Sequence, residues 1–179
     1  MKVRIPFVER TVKIPTDVTV EVSGKKIRVT GPKGSLEKSF EGSPLVFSLS
    51  DGELRIREDN VKKVDVALVG TAHAHVLNMI KGVTQGFTYR LKVVYAHFPM
   101  NIRVVNREVR IENFMGERSA RVARITGDVT VSVEGDDVLV SGIDKESVSQ
   151  TAANIQRVTK IRDYDSRVFS DGVFVYVRG

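Results

Sequence analysis

The sequence predicts an α+β protein made of two tandem copies of one small unit, each an antiparallel sheet packed with a single helix. Three observations predict it. Apolar and polar residues alternate over short runs, the runs are separated by turn-forming residues, and the spacing of apolar positions recurs later along the 179-residue chain. At a shift of 82 positions, Val18, Val20, Val22, Ile27, Val29 and Gly34 fall on Met100, Ile102, Val104, Val109, Ile111 and Gly116. At a shift of 84, Phe47, Leu49, Leu54 and Ile56 fall on Val131, Val133, Val138 and Val140. Identities are few. The spacing of buried positions and turns is what two copies of a fold retain after their surfaces diverge.

The elements follow in order. Ile27 and Val29 face one way while Arg28 and Thr30 face the other, as in a half-buried strand. Ser23-Gly24, Gly31-Pro32-Lys33-Gly34, Asp51-Gly52 and Gly135-Asp136 tolerate or preset turn dihedrals, so antiparallel hairpins are the natural connections. Val61, Val64, Leu68, Ala72, His75 and Met79 recur at helical steps, with Asp59 or Asn60 placed as N-cap and Gly82 as the stop. A strand at Phe87–Val94 closes the first copy, and the join falls at Tyr95–Pro99. In the second copy Val129, Val131 and Val133 repeat the strand pattern, and Val148, Ala152, Ile155 and Thr159 form a helix after Asp144. The expected domains are therefore residues 1–95 and 96–179. Units of this size bury only about 60–65 % of their unfolded surface, so each is expected to need the other, or a partner, for support.

Composition limits the function classes. With 41 % hydrophobic and 28 % charged residues the chain can bury a core. Its apolar runs, such as Ala67–Val69, are far shorter than the roughly twenty residues of a bilayer span. The basic start, MKVRIPFVER, lacks the apolar stretch of a secretory signal, so a soluble cytoplasmic protein is expected. Absence of cysteine excludes disulfides, thiolate metal sites and cysteine nucleophiles.

A net charge of +6 and a pI near 9.6 point to nucleic acid. The first part, to Ala96, holds 16 basic and 10 acidic residues, and the second holds 12 of each. The second part still segregates its charge: +3 over Met100–Thr126, −5 over Gly127–Val148 and +2 over Ser149–Gly179. Ten of the 16 cations in the first part are Lys, whereas ten of the 12 in the second are Arg. Arg grips phosphate with a planar fork, so specific contact is expected in the second copy.

The densest signal is Gln156–Gly179, where Arg157, Lys160, Arg162, Arg167 and Arg178 interleave with Tyr164, Phe169, Phe174 and Tyr176. The helix ends before Asp163, leaving cations and aromatics on a loop, the arrangement by which unstacked RNA bases and phosphates are held. Phe174 and Tyr176 are expected to point inward from the last strand.

Lys160-Ile-Arg162 followed by Arg167-Val-Phe169-Ser-Asp171-Gly172-Val-Phe-Val resembles the C-terminal signature of the archaeal and eukaryotic branch of the large-subunit ribosomal protein L6 (uL6) family. Ile14-Pro15, the run Thr30–Leu36 and the run Asn78–Phe87 resemble the same family in the right order along the chain. The bacterial form of the C-terminal motif, with its Lys-Gly-Lys-Gly run, is not present. The resemblance implies a duplicated α+β fold and a structural constituent of the large ribosomal subunit near the region where translation factors dock. It also implies large-subunit rRNA and neighbouring ribosomal proteins as partners, with rRNA contacts at Lys160, Arg162, Tyr164, Arg167, Phe169, Asp171 and Gly172. Asp171 and Gly172 are read as fixing the turn that aims Arg167. Arg157, Arg178 and Lys33 join the expected contacts by their charge and position.

Other signals carry no chemistry. His73 and His75 lie two apart on a helix, about 200° around its axis, and do not share a metal ion. The TGPKGS loop lacks the Gly-Lys-Ser/Thr ending of a phosphate loop. Asp163 and Asp165 read as local partners of Arg162 and Arg167, not as a catalytic pair. No enzyme, cofactor, metal or small-molecule substrate is expected. The alternatives are an RNA-modifying or RNA-processing enzyme and an RNA-binding module outside the ribosome.

Overall fold

The computed structural model describes residues 4–62, 66–162, 164–165 and 168–179. The chain divides into two compact units between Gln85 and Gly86. The first contains β1 (Arg4–Lys13), β2 (Thr19–Ser23), β3 (Lys26–Gly31), β4 (Gly34–Ser39), β5 (Val46–Ser50), β6 (Glu53–Lys62) and α1 (Val66–Thr84). The second contains β7 (Phe87–Val94), β8 (Asn101–Val105), β9 (Glu108–Glu112), β10 (Arg121–Arg124), β11 (Val129–Glu134), β12 (Asp137–Gly142), α2 (Lys145–Val158) and β13 (Gly172–Arg178). No helix among the described residues is long and apolar enough to cross a membrane.

Each unit carries one helix, as the repeat predicts, but its strands split into two small antiparallel sheets where one was expected. The first unit pairs β2-β3-β4 and β1-β6-β5, and the second pairs β10-β9-β8 and β11-β12-β7-β13. The repeat holds at the level of register. Val20 pairs with Val29 and, 82 positions on, Ile102 pairs with Ile111. Leu49 pairs with Leu54 and, 84 positions on, Val133 pairs with Val138. The hairpin turns fall at the predicted residues; Asp51 and Gly52 both have positive φ, 54° and 75°, as a two-residue type I′ turn requires.

The strand Phe87–Val94 belongs to the second unit, not the first. It lies between β12 and β13, with Leu91 opposite Val138. In the first unit Val12 of β1 lies opposite Leu54, the repeat equivalent of Val138. β7 is therefore the counterpart of β1 and opens the second copy. The join moves ahead of Phe87, and Arg90 and Lys92 move with the strand. The units then hold 14 basic against 10 acidic and 14 against 12, or +4 and +2.

The first helix also differs from its predicted stripe. Val69, Ala72, Val76, Met79, Ile80 and Val83 are buried, while Leu68 is exposed and His75 half-buried. Ala72 and Met79 keep their predicted places, while the row of Val69, Val76, Ile80 and Val83 takes the core side in place of Leu68 and His75. Val61, a β-branched residue, lies fully buried in β6. Val64 lies outside the described residues. Gly82 is buried inside α1, which runs on to Thr84; Gly86, at φ 77°, supplies the left-handed stop. The second helix follows its predicted stripe, and Asp144 caps it by accepting from the Glu146 and Ser147 amides at 3.2 and 3.1 Å. Two apolar clusters result, centred on Ile27, Leu54, Ile56 and Val76 in one unit and on Leu91, Ile111, Phe114 and Ile155 in the other.

Gly31 ends β3 against the last turn of α1. A Cβ there would lie 2.7 Å from Val83 Cγ2 and 3.0 Å from the Val83 carbonyl oxygen. Gly31→Ala is therefore expected to lower stability by about 1–3 kcal/mol, read as a reduced denaturant midpoint with an unchanged slope.

Candidate nucleic-acid interface

In the second unit the sheet gains an outer strand, β13, that has no counterpart among the described residues of the first, and the helix closes its free edge. Val173 N–H donates to Thr159 Oγ1 at 3.0 Å, and Val175 N–H donates to Gln156 Oε1 at 3.0 Å. These side chains satisfy donors that an edge strand would otherwise leave open. Ala152 and Ala153 are too small to fill the space between the last turns of α2 and β13. An open groove of about 870 Å³ results, walled by Arg157, Lys160, Phe169, Asp171, Phe174 and Arg178.

Five of the ten residues predicted from sequence thus meet at one place. Arg162 and Tyr164 are exposed on the loop beyond α2. Arg167 lies outside the described residues. Lys33 belongs to the first unit, where its amide donates to the Val83 carbonyl at 2.9 Å and its ammonium to the Gln85 carbonyl. Its interactions fasten the β3–β4 turn to the end of α1.

Phe174 and Tyr176 face outward, at 44 % and 52 % exposure, contrary to the expected inward placement. Val173 lies opposite Val93 and is fully buried, and Val175 lies opposite Leu91, so the valines take the core side. The register slips between Val175 and Val177, and the Tyr176 hydroxyl donates to Asp137 Oδ1 at 3.1 Å. Phe174 folds over Gly172: a Cβ on that glycine would lie 2.9 and 3.0 Å from ring carbons. A side chain at Gly172 would push the ring from this position.

Asp171 is 1 % exposed, and its carboxylate reaches across the unit. It accepts from the Ala96 amide at 3.1 Å and the His97 amide at 3.4 Å, with His97 Nδ1 3.5 Å away. The residue therefore ties the loop before β13 to the segment after β7, a longer-range task than the local turn expected of it. The His97 ring packs on Phe169 at 4.7 Å between centroids, and Phe169 on Tyr164 at 5.0 Å. Residue spacing gave no sign of His97 in this cluster.

Arg121 also escaped sequence reading. Its guanidinium donates to both oxygens of Glu117 at 2.9 and 2.6 Å and lies 4.2 Å over the Phe114 ring. It also donates to the Val158 and Lys160 carbonyls at 2.7 and 3.3 Å, satisfying acceptors at the end of α2. The Arg-rich stretch from Met100 to Thr126 is largely occupied in this way. Arg103 and Arg110 each lie 3.7 Å from a glutamate, and Arg107 donates to the Gly127 carbonyl. Among the described residues Arg157, Lys160, Arg162 and Arg178 have no ion-pair partner. Three of these, Arg157, Lys160 and Arg178, stand around the groove.

A family model described as ribosomal protein L6 matches the chain in two segments, residues 9–86 and 98–172. The chain is 48 % identical over 181 residues to the large ribosomal subunit protein uL6 of Staphylothermus marinus, covering 97 % of this chain and 96 % of that relative. It is 46 % identical over 168 residues to uL6 of Methanothrix thermoacetophila, covering 94 % and 96 %. Against uL6 of Aeropyrum pernix it is 45 % identical over 175 residues, covering 97 % and 96 %.

The hydrogen bonds from Arg121 hold the Glu117 carboxyl below its ordinary value of 4.5, with the charge of Arg121 adding to them and partial burial opposing. A carboxyl lowered in the folded state stabilises the fold above its unfolded pKa, and that stabilisation is lost as pH falls through the folded value. Glu117→Gln is therefore expected to reduce stability at neutral pH. In urea titrations its difference from the parent protein should shrink toward zero in the acid range below 4.5.

Proposed function

Because the chain belongs to the ribosomal protein L6 family, whose members are structural constituents of the large ribosomal subunit, we propose that its second unit holds large-subunit rRNA at the groove between α2 and β13. The protein is a ribosomal component and not an enzyme; its partners are rRNA and neighbouring ribosomal proteins. Ion-pair-free Arg157, Lys160 and Arg178 around one groove, with Arg162 exposed on the loop that follows α2, support that unit as the RNA-facing one. Arg157, Arg162 and Arg178 bring planar donors that fit phosphate oxygens, and Lys160 brings a mobile point charge. Tyr164, at 57 % exposure and in tilted contact with Phe169, offers an exposed aromatic ring. Asp171 and Gly172 serve the interface indirectly, one by anchoring the loop and the other by making room for Phe174. Docking of this unit close to where translation factors bind is part of the same reading.

A salt series tests the assignment. Arg157→Ala with Arg162→Ala is expected to weaken binding to large-subunit rRNA and to flatten the plot of log K against log salt by about one unit per lost phosphate contact. Lys25→Ala with Lys26→Ala serves as the control, because Lys25 is engaged by the Ser43 carbonyl and Lys26 lies 3.9 Å from Glu41. A slope that the first pair leaves unchanged would remove the groove from the interface.

A further inference from the structure

The groove wall carries an aromatic ring that the phosphate-binding role leaves unexplained. Phe174 stands on an edge strand at 44 % exposure, although an apolar ring of this size is ordinarily buried. One side of the ring lies on Gly172, close enough that a single added carbon would displace it. Around the groove stand Arg157, Lys160 and Arg178, none with an ion-pair partner among the described residues. The carboxylate on that wall, Asp171, is buried and already engaged by two amides, so it adds little repulsion toward an anion.

We infer that Phe174 is a base-stacking site, and that the groove takes an unstacked rRNA nucleotide with its base on the Phe174 ring and its flanking phosphates on Arg157 and Arg178. This rests on the rRNA reading above. The occupant is fixed by chemistry. A flat apolar ring among cations complements a flat base flanked by negative phosphates, and only an unpaired nucleotide can bring its base face to a side chain. The groove, at about 870 Å³, has room for a base with its sugar, since sites for ligands of drug size span about 300–1,000 Å³. Gly172 acquires a role in the same site, because it sets the ring where a base can reach it.

The experiment uses the full chain and transcribed large-subunit rRNA. The chain contains no tryptophan, so Phe174→Trp places a single indole reporter on the groove wall. Its emission is expected to be quenched when rRNA is added, with affinity within about threefold of the parent. Phe174→Leu keeps the apolar bulk but loses the stacking face, and should bind about tenfold more weakly with the salt slope unchanged. In base-specific chemical probing, at least one unpaired base shielded by the parent protein should regain reactivity with Phe174→Leu. Unquenched emission from Phe174→Trp in the bound state overturns the stacking site whether or not Phe174→Leu folds normally. Parent-like affinity of Phe174→Leu, together with a flattened slope for Arg157→Ala, overturns stacking while leaving the rRNA interface intact. If Arg157→Ala also leaves the slope unchanged, the rRNA reading of the groove falls with it.

Discussion

One buried carboxylate holds together everything the second unit presents at its groove. Asp171 sits at the end of the loop that follows α2, 1 % exposed, and accepts from backbone amides 74 and 75 residues earlier in the chain. A buried carboxylate is costly unless its oxygens are occupied, so the loop and the segment after β7 are each fixed by the need to satisfy it. From that point the arrangement spreads outward. His97 is brought onto Phe169 and Phe169 onto Tyr164, while Gly172, next in the chain, starts β13 and leaves space for Phe174. At the other end of the loop Arg121 holds the carbonyls of Val158 and Lys160. The loop is thus fastened at its start by the half-buried Arg121 and at its end by the buried Asp171.

Duplication explains why only one unit carries this arrangement. β1 and β7 occupy equivalent places, but β1 is the edge of its sheet, whereas β7 has β13 on its far side. Among the described residues no strand pairs with the far side of β1, which carries Pro6 and the charges of Glu9 and Arg10. In the second unit the added strand sits beside α2, and the gap between them is the groove. The same base fold therefore yields a plain α+β unit and one with a cationic, partly aromatic cleft.

The duplication itself was legible from sequence, because buried positions must keep their spacing wherever the register is kept. Equal pairings such as Val20–Val29 and Ile102–Ile111 are the physical content of that spacing. The assignment of β7 was not legible, since a strand's pairing partner is not written in its own residues. α1 carries two near-parallel apolar rows one residue apart, and periodicity alone does not say whether Leu68 and His75 or Val69 and Val76 face the core. In β13 the run Val173–Val177 is apolar at every position, so alternation does not distinguish its faces. The cationic cluster of the C-terminal segment was visible as composition. The pairing of Arg121 with distant carbonyls and of Asp171 with distant amides was not, because both join residues far apart in the chain.

If the Asp171 carboxylate holds the proposed rRNA interface in its binding form, a comparison of the parent protein with Asp171→Ala will show it. Hydrogen exchange at the Ala96 and His97 amides would be measured alongside rRNA affinity over a salt series. Faster exchange at both amides and weaker binding with an unchanged salt slope are expected, since no phosphate contact is removed. Retained protection at Ala96 and His97 with parent-like affinity would contradict that role of Asp171.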